Sequence, residues 1–190
     1  MNEAAADYSA LDIVVATSRD ENGEVLFREL QRTRARVRHV WPAPCRLPED
    51  TDVIFCDATR NFTQAIPWLP GEPGAALVAI VDATTNLDII RTAAPDAVLH
   101  RPFTRQSVLM SLMLARAHFT YAGRLLQRIH KLDETSRMIR SVERAKTMLM
   151  ATRKMREEEA YKFIRTQAMT RRISIGALAT AIVDSGDLLG

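Results

Sequence analysis

The side chains in this sequence with the most chemical reach are cations, and they are concentrated at one end. Residues 104–190 hold 16 Lys or Arg against 8 Asp or Glu, a net +8. Residues 1–103 hold 10 Arg, no Lys and 15 acids, a net −5. A charge split of this kind suggests two modules, the second facing either a polyanion or only solvent. Within it Lys162, Arg165, Met169 and Arg172 fall at i, i+3, i+7 and i+10, which is one face of a helix. They lie about opposite an apolar stripe of Ala160, Phe163, Ile164, Gln167 and Ala168. Enzymatic chemistry has no comparable signal: there is no phosphate-cradling Gly loop, no HExxH and no paired carboxylate in a recognisable motif. Cys45 and Cys56 form no CxxC and have no His at ligand spacing, so they read as ordinary thiols in a reducing compartment, without a zinc site. A non-enzymatic protein with no cofactor and no metal is expected.

These residues need a framework. The 190 residues are 47% apolar, with 7 Gly and 8 Pro, which supports a packed core. No charged-then-apolar leader is present, and the longest apolar run, Ala75–Val81, is too short to span a bilayer, so a cytoplasmic protein without membrane contact is expected. Short β-branched runs at Leu11–Ala16, Val37–Trp41, Asp52–Asp57, Leu77–Val81 and Ala97–Leu99 read as strands buried on both faces. Glu24–Arg34, Asn61–Leu69 and Thr85–Ala94 are long enough for crossover helices, the second interrupted by Pro67. The βαβ series predicts a doubly wound, five-stranded parallel sheet with helices on both faces.

From Thr104 to about Thr152 the chain has no Pro and one Gly, which predicts a long helix. Leu112, Ala115, Phe119, Ala122, Leu126 and Ile129 alternate at spacings of three and four, the pattern of a coiled-coil seam. A homodimer joined there is expected, with packing inside the same chain as the other reading. The register fails at Asp133 and Ser136 and resumes at Met138, Val142, Ala145 and Leu149, as at a skip or a change of packing partner. A loop at Ala151–Met155 and an N-cap at Ser174 delimit two further helices, making a three-helix bundle with the end of the long one. Arg156 stands where Ser or Asp would cap the middle helix, and Gly176 in the first turn of the last helix costs some stability. The division expected is 1–104, 105–137 and 138–190.

Two resemblances sharpen this reading. Asp57 ending the third strand, with HRPF (His100–Phe103) after the fifth, resembles a response-regulator receiver domain. In that family an Asp at the first position accepts a phosphoryl group beside Mg²⁺, and a Lys before Pro contacts the phosphate. Here Thr17-Ser18-Arg19 replaces the acid pair after strand one, Arg101 replaces the Lys, and Val81-Asp82 falls where Ser or Thr is usual. Asp20 and Glu21 lie slightly past the acid positions. Arg101 could hold a phosphate bidentately or pair with Asp57 and quench the site. The expectation is a degenerate receiver used for protein contacts, with Asp57 and Arg101 a vestigial phosphoacceptor pair.

ERAKTMLM (Glu143–Met150), EEEAYKFIRTQAM (Glu157–Met169) and RRISIGALATAIV (Arg171–Val183) resemble the ANTAR domain, and VRHVWPAPC before DVIFCD is similar to amidase-operon regulators. The resemblance implies a dimer that binds paired stem-loops in nascent leader RNA and prevents a terminator hairpin. A sequestering sensor of the periplasmic-binding-protein type would then control it. Implied RNA contacts are Ala145, Lys146, Arg165, Gln167, Arg171 and Arg172, with Lys and Arg attracting phosphate and Ala admitting a loop base. The rival reading is a phosphorylation-controlled DNA-binding response regulator. It would need the strand-one acids and a polar recognition helix, whereas Ile175–Val183 is apolar.

Overall fold

The computed structural model describes residues 8–48, 50–66 and 73–187. Five strands, β1 (Asp12–Ala16), β2 (Arg36–His39), β3 (Val53–Asp57), β4 (Ala76–Val81) and β5 (Ala97–His100), form one parallel sheet of order β2-β1-β3-β4-β5. This is the predicted doubly wound sheet; four strands fall within a residue of their expected limits, and β2, expected at Val37–Trp41, begins one residue earlier and ends two residues sooner. The central strands β1, β3 and β4 are buried on both faces, as their unbroken apolar runs require. The edge strands differ: β5 alternates buried and exposed residues, and β2 is only partly covered.

One face of the sheet (Ile13, Val15, Val53, Phe55, Val78 and Leu99 among others) packs on Leu26 and Leu30 of α1 (Glu21–Gln31). The same core takes in Val108, Leu112 and Ala115 from the start of α4 (Arg105–Arg153). The opposite face (Val14, Ile54, Cys56, Leu77) is covered by α2 (Phe62–Ala65), α3 (Leu87–Ala93) and the β2–β3 connection. That connection contains no helix among its described residues, because Pro42, Pro44 and Pro48 each remove a backbone donor and fix φ. Leu47 fills the space instead, with its N–H donating to the Ala65 carbonyl at 2.7 Å. Of the expected helix Asn61–Leu69, Phe62–Ala65 is helical, and Pro67–Leu69 lies outside the described residues.

The chain divides into two compact units, one up to Gly123 and one from Arg124. Helix α4 passes through the expected break at Asp133–Ser136 without interruption. Its buried residues, Val108, Leu112 and Ala115 in the first unit and Val142, Ala145 and Leu149 in the second, belong to separate cores. The helix ends at Arg153, not at Ala151, where Lys154 turns to a left-handed φ of 53°. In the second unit α5 (Glu157–Arg171) and α6 (Ile175–Asp187) pack with the end of α4 around Ala145, Leu149, Ala160, Ile164, Ala168, Leu178 and Ala179.

The caps follow from side-chain chemistry. Ser174 Oγ accepts from the Ala177 N–H at 3.1 Å, as an N-cap should. At α5 the Arg156 guanidinium has no acceptor to offer, and the Glu159 carboxylate caps in its place by accepting from the Arg156 N–H at 2.9 Å. Gly176 allows a close approach of α6 to α4, since a Cβ there would lie 2.8 Å from Met138 Cγ.

Candidate nucleic-acid interface

At the receiver-like site, the C-terminal ends of β1, β3 and β5 converge on Asp57. Its Oδ2 accepts from Thr17 Oγ1 at 2.7 Å and its Oδ1 from Arg101 Nη2 at 2.9 Å. The same Arg101 nitrogen donates to Thr17 Oγ1 at 2.6 Å, while Nη1 reaches the two Asp20 oxygens at 3.1 and 3.3 Å. Asp20 is also the N-cap of α1. The Gly23 N–H above all, with Ser18 and Arg101, holds its carboxyl below the usual range. Of the two roles open to Arg101, this is the pairing with Asp57. Burial and the neighbouring Asp57 push the Cys56 thiol up to about 12, so it is not a nucleophile.

The Mg²⁺ that receivers use does not fit this donor set. A guanidinium bridges Asp20 and Asp57, and Glu21 is exposed. Asp82 turns back on Thr84 and Thr85 in its own loop. Among the described residues no group of three or more His, Cys, Asp or Glu could hold a metal ion, and a hard divalent cation needs several oxygens. Incubation with acetyl phosphate is accordingly expected to leave Asp57 unmodified. Stoichiometric phosphorylation by mass spectrometry, lost in Asp57→Asn, would contradict the closed arrangement.

The second unit distributes the sequence-derived RNA residues unevenly. Ala145 is 0% exposed, enclosed by the bundle core, and this corrects its assignment as a base contact: its small side chain serves helix packing. Lys146 is 8% exposed, and its Nζ is clasped by Glu157 Oε1 at 2.6 Å and Glu143 Oε2 at 3.0 Å. Donating hydrogen bonds to these two carboxylates raises the Lys146 pKa, and Lys146 lowers that of Glu157. The Glu157 contribution to stability is therefore present above its ordinary value of 4.5 and lost as pH falls through the lowered one. Lys146 thus ties α4 to the first turn of α5, and its charge is already met.

Arg165, Arg171 and Arg172 are exposed, as is Lys162, and none of the four is ion-paired among the described residues. Lys162 and Arg165 stand on the outer side of α5, away from buried Ala160, Ile164 and Ala168, whereas Arg172 lies just past the helix with a left-handed φ of 55° and so leaves the helical i+10 position expected for it. Gln167 is half-buried on another flank of the same helix, where it and Arg171 line a groove.

The seam expected on α4 is redrawn. Leu112 is fully buried against the sheet of its own unit and is not available to a second chain, and Phe119 is partly buried on the same core. Leu126 is half-buried and Ile129 is 54% exposed. Leu125, Ile129, Leu132 and Ile139 are exposed, Leu132 by 63%, and with half-buried Ser136 they form a stripe spaced four, three, four and three. This stripe was present in the sequence but was hidden by the overlapping pattern one residue away, which starts from core-facing Leu112.

Sequence comparison gives this geometry a family. The N-terminal domain model of AmiR matches residues 11–116, and the ANTAR domain model matches residues 130–183. The chain belongs to the AmiR family, a receiver-like module followed by an ANTAR domain. It is 26% identical over 187 residues to the aliphatic amidase regulator of Pseudomonas aeruginosa, covering 96% of this chain and 95% of that one. It is 27% identical over 113 residues to the transcriptional regulatory protein PdtaR of Mycobacterium tuberculosis, covering 58% of this chain and 55% of that protein. Among solved structures, response regulator StyR aligns with 93% of this chain and 100% of its own at 13% identity and a TM-score of 0.46. No helix among the described residues is long and apolar enough to cross a membrane.

Proposed function

We propose that the chain is a non-enzymatic antitermination regulator that binds RNA stem-loops through the bundle of its second unit, as a dimer joined along α4. The observation that carries this reading is the exposed, unpaired cations Lys162 and Arg165 on α5, with Arg172 just past its end, on an ANTAR domain. Both relatives are named as regulators, one of an amidase, which supports regulation over catalysis. The closed Asp57–Arg101 site favours control by a binding partner over control by phosphorylation. An AmiC-like sensor of the periplasmic-binding-protein type fits the resemblance to amidase-operon regulators.

The stripe Leu125–Ile139 supports a second copy of the chain as the partner of α4. With Leu125, Leu132 and Ile139 as d and Ile129 and Ser136 as a, it has the a/d spacing of a coiled coil, with Leu at two d positions and Ile at one a position, the choice that favours parallel two-stranded coils. In that register Arg128 is a g residue and Asp133 the e residue five positions on, so each copy would offer the other an opposite charge.

Binding to an RNA carrying two small hairpins tests the reading. Arg165→Ala and Arg172→Ala are each expected to weaken binding and to lower the log–log salt slope by roughly one unit. Deleting one hairpin should weaken binding further if both subunits engage. Unchanged affinity and slope in both variants would remove this face from the interface. Equal affinity for duplex DNA of the same length would favour the DNA-binding response regulator.

A further inference from the structure

We propose that Arg28, Arg32 and Arg105, gathered on the buried carboxylate of Glu29, form a docking site on the first unit for an acidic segment of a protein partner. The site lies between the C-terminal half of α1 and the first turn of α4. It shares no residue with the proposed RNA contacts and does not depend on them.

Arg28 lies in the last turn of α1, Arg32 is the C-cap that follows it, and Arg105 is the first residue of α4. Arg32 Nη1 donates to Glu29 Oε1 at 2.6 Å, with Arg28 Nε 3.8 Å from the same oxygen and Arg105 Nε 3.9 Å from Oε2. The Glu29 side chain is 6% exposed, against 61%, 56% and 70% for Arg28, Arg32 and Arg105. One sunken carboxylate thus anchors three guanidinium groups that reach into solvent. Among the described residues no second carboxylate pairs with any of the three, so two positive charges remain unmatched. Arg28 and Arg105 approach Glu29 through Nε, which leaves their terminal nitrogens without a partner there. The first turn of α4 holds no acid, and the helix dipole adds positive potential beside Arg105.

Carboxylates and phosphates both suit a cluster of guanidinium groups, and the charge around it selects between them. Residues 1–103 sum to −5, so a nucleic acid laid across this unit would meet repulsion beyond the triad. A short run of Asp or Glu on a partner's surface senses only the charges within about 10 Å, where the triad dominates. Each of its carboxylates can accept two parallel N–H bonds from one guanidinium, a geometry that Lys could not supply. The triad therefore recognises carboxylate groups held close together, and Glu29 keeps the three side chains gathered before the partner arrives.

The test uses the full chain at low ionic strength and a fluorescein-labelled octaglutamate peptide, with octaglutamine as the blank. Arg28→Gln combined with Arg105→Gln keeps Arg32 on Glu29, so the buried carboxylate stays satisfied and the melting temperature should be that of the wild type. This double variant is expected to bind octaglutamate about fivefold more weakly, a difference that disappears in high salt. Its affinity for the two-hairpin RNA should be unchanged. Arg165→Ala should show the reverse, with weakened RNA binding and octaglutamate binding close to that of the wild type. Should the double variant melt early, Arg28→Gln alone gives the same comparison, because Glu29 then retains both Arg32 and Arg105. Equal octaglutamate affinity in the wild type and these variants, or octaglutamine bound as tightly as octaglutamate, would overturn the site and leave the RNA-binding reading standing. Loss of RNA affinity in the double variant, with octaglutamate binding retained, would assign the triad to nucleic acid and end the proposal.

Discussion

Replacing Ile129 and Leu132 together by Lys is expected to convert the protein to monomers in sedimentation. In a parallel pair each substitution places two ammonium groups against one another in a seam that excludes water. Like charges so close strongly oppose association, and the apolar contact that held the helices is lost as well. The positions are 54% and 63% exposed in the single chain, so the substitution should leave the bundle and the sheet folded, with helical circular dichroism retained. Affinity for a two-hairpin RNA should fall by about a hundredfold, because the second hairpin is no longer bound intramolecularly. A milder variant sharpens the register. Arg128→Asp should weaken the dimer, and adding Asp133→Arg should restore it if the two residues meet across a parallel seam. An unchanged dimer in the double Lys variant would show that the copies associate elsewhere.

Gly23→Ala is expected to be the most damaging single-methyl change in the first unit. Gly23 sits in the first turn of α1, beneath the loop that follows β1, and a Cβ there would stand 2.0 Å from the Ser18 carbonyl oxygen. The obstacle is backbone, so no rotamer change relieves it. The loop must move, and with it Asp20, whose carboxylate caps α1 through the Gly23 N–H and receives Arg101. Overpacking typically costs about 1–3 kcal/mol, and a backbone clash belongs at the upper end. A loss of about 3 kcal/mol lowers the melting temperature of a domain this size by roughly 10–20 °C. Gly123→Ala is the control. It lies within α4 with nothing inside 4 Å of its added Cβ, so it should raise stability by about 0.5–1 kcal/mol. Similar melting shifts for the two variants would show that the Ser18 contact yields easily.

The sheet was legible because its signal is local. DIVVA, VIFCD and ALVAIV are apolar without alternation, and only burial on both faces accommodates that. The bundle was legible for a related reason: Ala160, Ile164 and Ala168 mark one face of α5, and Ser174 announces α6. Spacing could not say which of two overlapping stripes on α4 belongs to the chain's own core. Leu112 and Leu125 are equally apolar, and only the approach of the sheet decides that the first is spoken for. Charge posed the same difficulty. Lys146 and Arg165 read alike as cations, yet Glu143 and Glu157 converge on Lys146 alone. Ala145, a plausible gap for a base in one dimension, is closed by α5 and α6 in three. The sequence by itself determined which segments are strands and helices and where positive charge accumulates, since both depend on near neighbours along the chain. The tertiary structure alone decided that Arg101 closes on Asp57, 44 residues away, and which cations stay unpaired, because those depend on contacts that the fold must first create.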